Sequence, residues 1–554
     1  MRVRSSYYSF LDLPYSYFFQ PLFLYLQTIL GTPFSIYKIR FFAKSIYRLG
    51  RNDWKKLKNH TRELESPATM KENTWIGGIL ELGSKVRYGM TTRGVPIYRF
   101  VPYDKKQGPY AVGCSQRSLN NVHAIVEAVV SVGLGEGLGQ GPGLGKDPFK
   151  TPKANLIQIL GEPSPSTELA ILLATYAFDS KKHLRKHSPT ILNTFNTKRE
   201  KLEGYTFHID PPGCKDVDDS FTFLRTESGW RISINIADVA EYVTEGSDVD
   251  SIAKEKATSF YSPSGTVLAA MLPSDIETKA SLLPGESCED KLTLSLQFLW
   301  LPGYEPIDFQ WIETITQTTA SYTYDEAMRE TRDEMKALQA FHNQGVGETN
   351  DDSHKWVETM MILYNKKAGE RLRDLRCGIL RSHTTPQLET LDAWTSIDPS
   401  LTFMAYESAH FISANSTESI QHYGLGCEAY AYASSPIRRY CDIVNQRILK
   451  GSLPTYSIDA LVTHLNRRQR QEKAFRRDIF FMTVLKDDIL KPVVGIVISA
   501  LKVYVPAWKR VIKIKNVEGL PDIKTWISLK WYHDMRTPCW KDRMVFSWNV
   551  LEVL

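Results

Sequence analysis

The stretch HIDPPGCKDVDDSFTF, residues 208–223, decides how this chain is read. A strand-like run, Tyr205–Ile209, ends at Asp210. Pro211, Pro212 and Gly213 cannot continue regular structure, so a sharp turn is predicted there. Asp216, Asp218 and Asp219 follow, and a second strand-like run begins behind them. Carboxylates crowded on one short loop repel each other, so either some are protonated or a cation keeps them ionised. Hard divalent ions take oxygen ligands, and magnesium combines a few carboxylates with water and substrate phosphate. A phosphodiester hydrolase uses such a set: one ion lowers the pKa of the attacking water and another stabilises the leaving oxygen. Two blander readings compete. One is a solvated acidic loop. The other is a calcium loop, in which Asp216, Asp218 and Glu227 fall at ligand positions, but Phe221 stands where that loop needs glycine.

Working outward, residues 73–180 read as β, with short runs at Trp75–Leu82, Val95–Val101 and Val122–Val130 that suit a small antiparallel barrel. The run GLGEGLGQGPGLG, residues 133–145, fits neither GxGxxG nor a phosphate-binding loop, because Asp147 follows Lys146; it reads as a flexible insertion. Residues 181–204 are a polar, basic connector. A large α/β block follows to about residue 490, with helical runs expected at Asp325–Gln344, Lys355–Leu375 and Pro436–Leu449. From 493 the sequence VVGIVISALKVYVPAWKRVIKIKN returns to β and suits a second five-stranded barrel. The expected division is an extension at 1–72, a barrel domain at 73–180, a catalytic domain at 181–490 and a second barrel at 491–554.

The chain has 554 residues, too many for one core. With 42% hydrophobic and 23% charged residues it is neither disordered nor fibrous. The net charge of +6 suggests nucleic acid, but residues 1–72 alone carry a surplus of +7, so any nucleic-acid site must be a local basic surface. Seven cysteines with no CxxC pair argue for a reducing intracellular compartment, the cytoplasm by default, and against a zinc site. Residues 13–37 are uncharged and long enough to cross a bilayer, yet Pro14, Pro21 and Pro33 interrupt them. They read as an organelle-targeting or membrane-contacting segment, as a buried or partner-docking segment, or as sequence upstream of a functional start at Met70.

The motif IDPPGCKDVDD resembles the signature of the RNB catalytic domain, the ribonuclease II, ribonuclease R and catalytic exosome subunit family. The likeness continues in order through INIADVAEYV (234–243), residues 256–298, WVETMMILYN (356–365), ILRSHTTP (379–386) and SSPIRRYCDIVNQRIL (434–449). It implies an α/β catalytic domain flanked by a cold-shock-like barrel before and an OB-fold after. It also implies a hydrolase that degrades single-stranded RNA from the 3′ end to nucleoside 5′-monophosphates with Mg2+ or Mn2+, processively or distributively, alone or in an RNA-processing complex. The alternative is a catalytically inactive RNA-binding protein on the same scaffold.

By that resemblance Asp210, Asp216, Asp218 and Asp219 are the metal-site aspartates, with Asp219 the most critical to the chemistry. Arg438 holds the phosphate near the cut. Tyr261 and Tyr324 contact the last nucleotides, and Glu358 accepts a 2′-hydroxyl proton. Arg381 and His383 lie in a family motif without an assigned role. Read from the residues, Ser434 or Ser435 caps a helix with Pro436 in its first turn and a buried stripe at Ile437, Cys441, Val444 and Ile448. Arg438 then stands at that helix's N-terminus, where a phosphate is favoured. The late helix with Arg467, Arg468, Arg470, Lys473, Arg476 and Arg477, and the strand Lys509–Lys515, would guide phosphates. The chain departs from the family at Asn235, where histidine is usual, at Ser434, where threonine is usual, and at Thr359, where an acid often stands. A late-helix glutamate of ribonuclease II has Lys473 or Phe475 in its place.

Overall fold

A computed structural model describes residues 75–551, except 105, 130–150, 178–198, 285–288, 347–351, 487–491, 515–518, 535–536 and 538–542. The segment 13–37, Met70, the glycine-rich run, Lys515 and most of the connector lie outside the described residues. Among the described residues no helix is long and apolar enough to cross a membrane.

Alternating apolar residues close the first β unit. Strands β1 (Trp75–Leu80), β2 (Ile97–Pro102), β3 (Tyr110–Gly113), β4 (Val122–Ala128) and β5 (Lys153–Gly161) form a closed barrel in the order β1-β2-β3-β5-β4. Its interior is Leu80, Tyr98, Phe100, Val112, Ala124 and Val126. Helix α1 (Pro165–Ala177) leaves the barrel and packs through Ile171 and Leu172 against Phe260 and Phe475 of later elements.

The centre of the molecule is a seven-stranded sheet. β6 (Glu200–Lys201), β7 (Tyr205–Ile209), β8 (Asp219–Thr226) and β9 (Gly229–Ala237) come first, followed by helices α2 (Val239–Tyr242) and α3 (Asp248–Lys256). A two-stranded ribbon, β10 (Phe260–Tyr261) with β11 (Val267–Ala269), and helix α4 (Ser274–Ala280) lead to β12 (Lys291–Trp300), β13 (Ile307–Thr316) and β14 (Ala320–Tyr322). The order is β14-β7-β8-β9-β12-β13-β6. One face carries Phe207, Phe221, Ile232, Ile234, Ile236, Leu294, Leu296 and Phe298 into the main core.

Helices α5 (Tyr324–Arg329), α6 (Asp333–Val346) and α7 (Ser353–Asp374) continue the domain. The sequence suggested one helix over Asp325–Gln344. It is broken because the Glu330 carboxylate accepts the N–H groups of Thr331 (2.8 Å) and Arg332 (3.1 Å). The hairpin β15 (Ile379–Ser382) with β16 (His410–Ser413) encloses helix α8 (Leu388–Ile397), and α9 (Tyr440–Leu449) and the long α10 (Ile458–Lys486) follow. The last unit joins β17 (Val493–Ser499), β18 (Lys502–Val505), β19 (Arg510–Lys513), β20 (Trp526–His533) and β21 (Met544–Val550) in the order β19-β18-β17-β20-β21. Among the described residues this is a five-stranded sheet with β19 and β21 at its edges, where the sequence suggested a five-stranded barrel.

Asn235, the departure from the family pattern, sits fully buried at the middle of a polar ladder on the sheet's other face. Its amide donates to Thr222 Oγ1 (2.8 Å) and Ser220 Oγ (3.3 Å), and its carbonyl accepts from Ser295 Oγ (2.8 Å). Thr206 Oγ1 continues the ladder at 2.8 Å from Thr222, and Ser295 continues it at 2.6 Å from Thr314. Asparagine supplies both donor and acceptor, so every rung is satisfied. We expect Asn235→Ala to strand the buried hydroxyls and cost about 1–3 kcal/mol, read as a lower thermal midpoint with unchanged far-UV circular dichroism. An unchanged midpoint would show that the ladder contributes nothing to stability.

Candidate active site

The aspartate loop is held at both ends by the central sheet. Asp210 follows β7, which pairs in parallel with β14, and its N–H donates to Tyr322 O at 3.0 Å. His208 is clamped between Asp210 Oδ2 (2.8 Å) and Ser321 Oγ (2.7 Å). Gly213 takes a φ of 77°, which a turn of this hand needs and which L-residues disfavour. Val217 plugs the loop into the core. Ser281 pins it there: its Oγ donates to Lys215 O (2.7 Å) and accepts from Val217 N (3.1 Å). Asp219 then opens β8 opposite Ile236.

Asp218 receives two donors from a segment more than 200 residues away, Ile437 N–H on Oδ1 at 2.9 Å and Arg438 Nε on Oδ2 at 3.2 Å. Burial nonetheless pushes its pKa up to about 7, with Arg438 pulling the other way. Asp219 is driven well above the usual carboxylate range by burial and by the charges of Asp210 and Asp218. Asp216 accepts from the Tyr261 hydroxyl at 2.9 Å, and burial beside Asp216 raises that phenol. Tyr324 is raised to about 12 by burial and then by the charges of Asp210 and Asp219. The donors are all hard oxygens whose mutual repulsion a dication would relieve, the chemistry of a magnesium site, but no three of these aspartates bring carboxylate oxygens all within 4.8 Å of one another.

The Arg438 segment is built differently from the sequence expectation. Helix α9 begins at Tyr440, not Pro436. Arg438 N and Arg439 N both bond to Ser435 O (3.3 and 3.0 Å), and Tyr440 N goes to Ala257 O (2.9 Å) instead of the carbonyl four residues back. Arg438 is therefore held by a tight turn, its Nη2 on Ser435 Oγ at 2.9 Å, and not by a helix N-terminus. The stripe of Ile437, Cys441, Val444 and Ile448 is buried as expected. Gly369 lets α7 pass close to this segment: a Cβ there would lie 2.7 Å from the Tyr430 backbone. Asn365, one turn earlier, accepts from Ala433 N at 2.9 Å.

Glu358 is exposed. It lies on α7, bonded to Lys355 at 2.6 Å, one turn beyond His354, whose ring stacks on Tyr324 at 3.6 Å. Thr359, the departure beside it, bonds to His342 Nδ1 at 2.7 Å.

From Tyr261 and Arg438 a cavity of about 640 Å3 runs between α10 and the β15–β16 hairpin, and its walls include Arg381, Arg439, Lys473 and Arg476. Arg468, expected to guide phosphates, is instead buried, donating to Tyr176 O (2.7 Å) and Lys256 O (3.0 Å). Glu472 was passed over in the sequence, yet it lines this cavity. The signal was available: Leu461, Leu465, Arg468, Phe475, Ile479 and Met482 are the inward stripe of α10, and Glu472 fills its vacant step.

A second acidic group needs a different account. Asp238, Glu241 and Glu313 form the one trio among the described residues whose carboxylate oxygens all lie within 4.8 Å. Arg199 reaches the three at 2.7, 2.9 and 3.1 Å, and Lys450 at 2.7, 2.7 and 3.4 Å. Two protein cations already sit where an ion would, so this cluster is a structural tie between β9, α2, β13 and the end of α9.

The profile of the RNB domain family matches residues 199–344 and 328–454. The chain is 24% identical over 339 residues to Exosome complex exonuclease RRP44 homolog A of Arabidopsis thaliana, covering 46% of this chain and 35% of that protein. It is 26% identical over 368 residues to Exoribonuclease 2 of Aeromonas hydrophila, covering 51% and 53%. The chain thus spans only about a third to a half of the length of these two relatives. In fold it is similar to the apo form of Mycoplasma genitalium RNase R, with a TM-score of 0.67 at 16% identity over 86% of this chain and 89% of that one. A yeast pseudonuclease has a TM-score of 0.63 at 14% identity over 82% and 67%.

Two substitutions separate strain from support in this site. In metal-free buffer Asp219→Asn removes a repelled charge and should raise the melting temperature by about 2 °C or more. Asp442→Asn leaves the Arg439 guanidinium, now 2.7 Å from Asp442, without its counter-charge and should cost about 3–5 kcal/mol. Calorimetry on both variants reads the signs; a stabilised Asp442→Asn or a destabilised Asp219→Asn would contradict this electrostatic account.

Proposed function

We propose that this chain, which carries an RNB domain over residues 199–454, hydrolyses single-stranded RNA from the 3′ end and releases nucleoside 5′-monophosphates. The observation that carries the reading is the Arg438–Asp218 contact, which sets a guanidinium at the junction of the aspartate loop and the basic cavity. Asp210, Asp216, Asp218 and Asp219 would hold magnesium or manganese, which when bound supplies an activated water and charge stabilisation.

The chain's own residues bind and orient the strand. Arg438 spends only Nε on Asp218 and Nη2 on Ser435, so the remaining guanidinium N–H groups are available to a phosphate. The Tyr261 hydroxyl fixes Asp216 and sets its ring at the cavity end. One face of Tyr324 is taken by His354, so a terminal base stacks on the other. Glu358 accepts the 2′-hydroxyl proton once it shares Lys355, which favours RNA over DNA. The cold-shock-like barrel and the OB-like sheet guide the incoming strand. A reducing compartment suits the free Cys114, Cys214, Cys377, Cys427 and Cys441, and assembly into an RNA-processing complex fits the same reading.

The test is a time course on 5′-labelled single-stranded RNA with magnesium, with EDTA, and with Asp219→Asn. The expected result is a ladder shrinking from the 3′ end that is lost in both controls, with matched DNA left intact. RNA that is bound but never shortened would establish the inactive RNA-binding alternative. Equal turnover of DNA would remove the role given to Glu358.

A further inference from the structure

Arg381 is a buried cation with no carboxylate. It is only 3% exposed, and its guanidinium donates to neutral groups alone, Ala409 O at 2.8 Å and Gln469 Oε1 at 3.3 Å. Its face lies over the rings of Phe411 (4.3 Å) and Tyr432 (4.9 Å), and its Nε has no hydrogen-bond partner. The other arginines of the cavity wall are served differently. Arg438 has Asp218, Arg439 has Asp442 and Arg476 has Glu472, while Arg468 turns away to backbone carbonyls.

A second cation without an ion pair of its own stands next to it; the adjacent Glu472 is paired with Arg476. Lys473 lies one turn beyond Gln469 on α10, on the same face, and its side chain is exposed. Burial lowers the pKa of both groups, and the charge of Arg381 lowers that of Lys473 further. Both residues line the cavity that begins at Tyr261 and Arg438. Two cations held close together, with the nearby Glu472 already paired to Arg476, are a setting that an anion would relieve. Ring contacts alone do not supply a counter-charge, and a planar guanidinium with a spare N–H suits a phosphate oxygen.

We propose that Arg381 and Lys473 form a second phosphate subsite, which takes an internal phosphodiester of the bound strand upstream of the phosphate at Arg438. The subsite rests on the RNA-binding reading above. It gives a role to a motif arginine that the aspartate chemistry does not use, and it anchors the strand so that successive 3′ ends arrive in register.

The experiment is a scan of single neutral methylphosphonate linkages along a short RNA, with affinity measured in the full chain carrying Asp219→Asn to prevent turnover. Lys473→Ala is compared in the same background because its exposed side chain can be removed without opening the core. The expected result has three parts. One internal linkage near the 3′ end weakens binding when neutralised. Lys473→Ala weakens the all-phosphate RNA by a similar factor and makes that linkage indifferent. The slope of log affinity against log salt falls by about 0.7, one lost contact to a single strand. Arg381→Lys, which keeps the charge but not the fork, should shift affinity at that linkage alone. If the sensitive linkage stays equally sensitive in Lys473→Ala, the subsite is wrong while the RNA reading stands. If the scan is flat but Lys473→Ala weakens competition by a nucleoside 5′-monophosphate, the cations serve a free phosphate and the phosphodiester assignment falls. If the parent binds no RNA, the functional reading itself fails.

Discussion

The constraint on which the site depends is the double hold on Asp218. This carboxylate is buried and flanked by other acids, an arrangement that costs free energy unless something compensates it. The compensation comes from Ile437 N–H and Arg438 Nε, on a segment that follows the hairpin and precedes α9. One residue thus joins the first strands of the central sheet to the last third of the domain. The same contact aims Arg438 at the carboxylates. The tight turn at Ser435, the close pass permitted by Gly369 and the Asn365 bond to Ala433 N all serve to deliver that segment to Asp218.

Around this hold, the protein separates charges that must be neutralised by the fold from charges that are left strained. Asp238, Glu241 and Glu313 are matched by Arg199 and Lys450, and Asp442 is matched by Arg439. Asp250 is matched by Arg447 at 2.7 Å. These acids and cations are paired within the fold. Asp219 forms no such pair, and neither do Arg381 and Lys473. Unpaired charge is costly to keep in a folded protein, and it gathers at the aspartate loop and along one adjoining cavity.

The polar ladder through Asn235 shows how a departure from a family pattern can be silent for chemistry. Its side chain is spent on Thr222, Ser220 and Ser295, inside the sheet. Thr359 is likewise committed to His342. Glu472 shows the converse. It is unremarked by motif, yet the α10 stripe turns it into the cavity.

What was legible in the sequence was what depends on near neighbours. The proline-glycine turn between two strand runs, the β character of the flanking units and the buried stripe of α9 follow from local sterics and side-chain periodicity. The ordered motifs carried the RNB assignment for the same reason, since each is a short run whose residue types serve one local geometry. What only the tertiary structure decided depends on partners far away in the chain. Helix α9 starts at Tyr440 because Ala257 takes its N–H. Arg468 is structural because carbonyls of α1 and α3 converge on it. Arg381 lacks an acid, while the acids of the trio at Asp238 are already filled. No local pattern encodes such pairings, because a hydrogen bond or ion pair is set by distance in space, and the sequence alone records only distance along the chain.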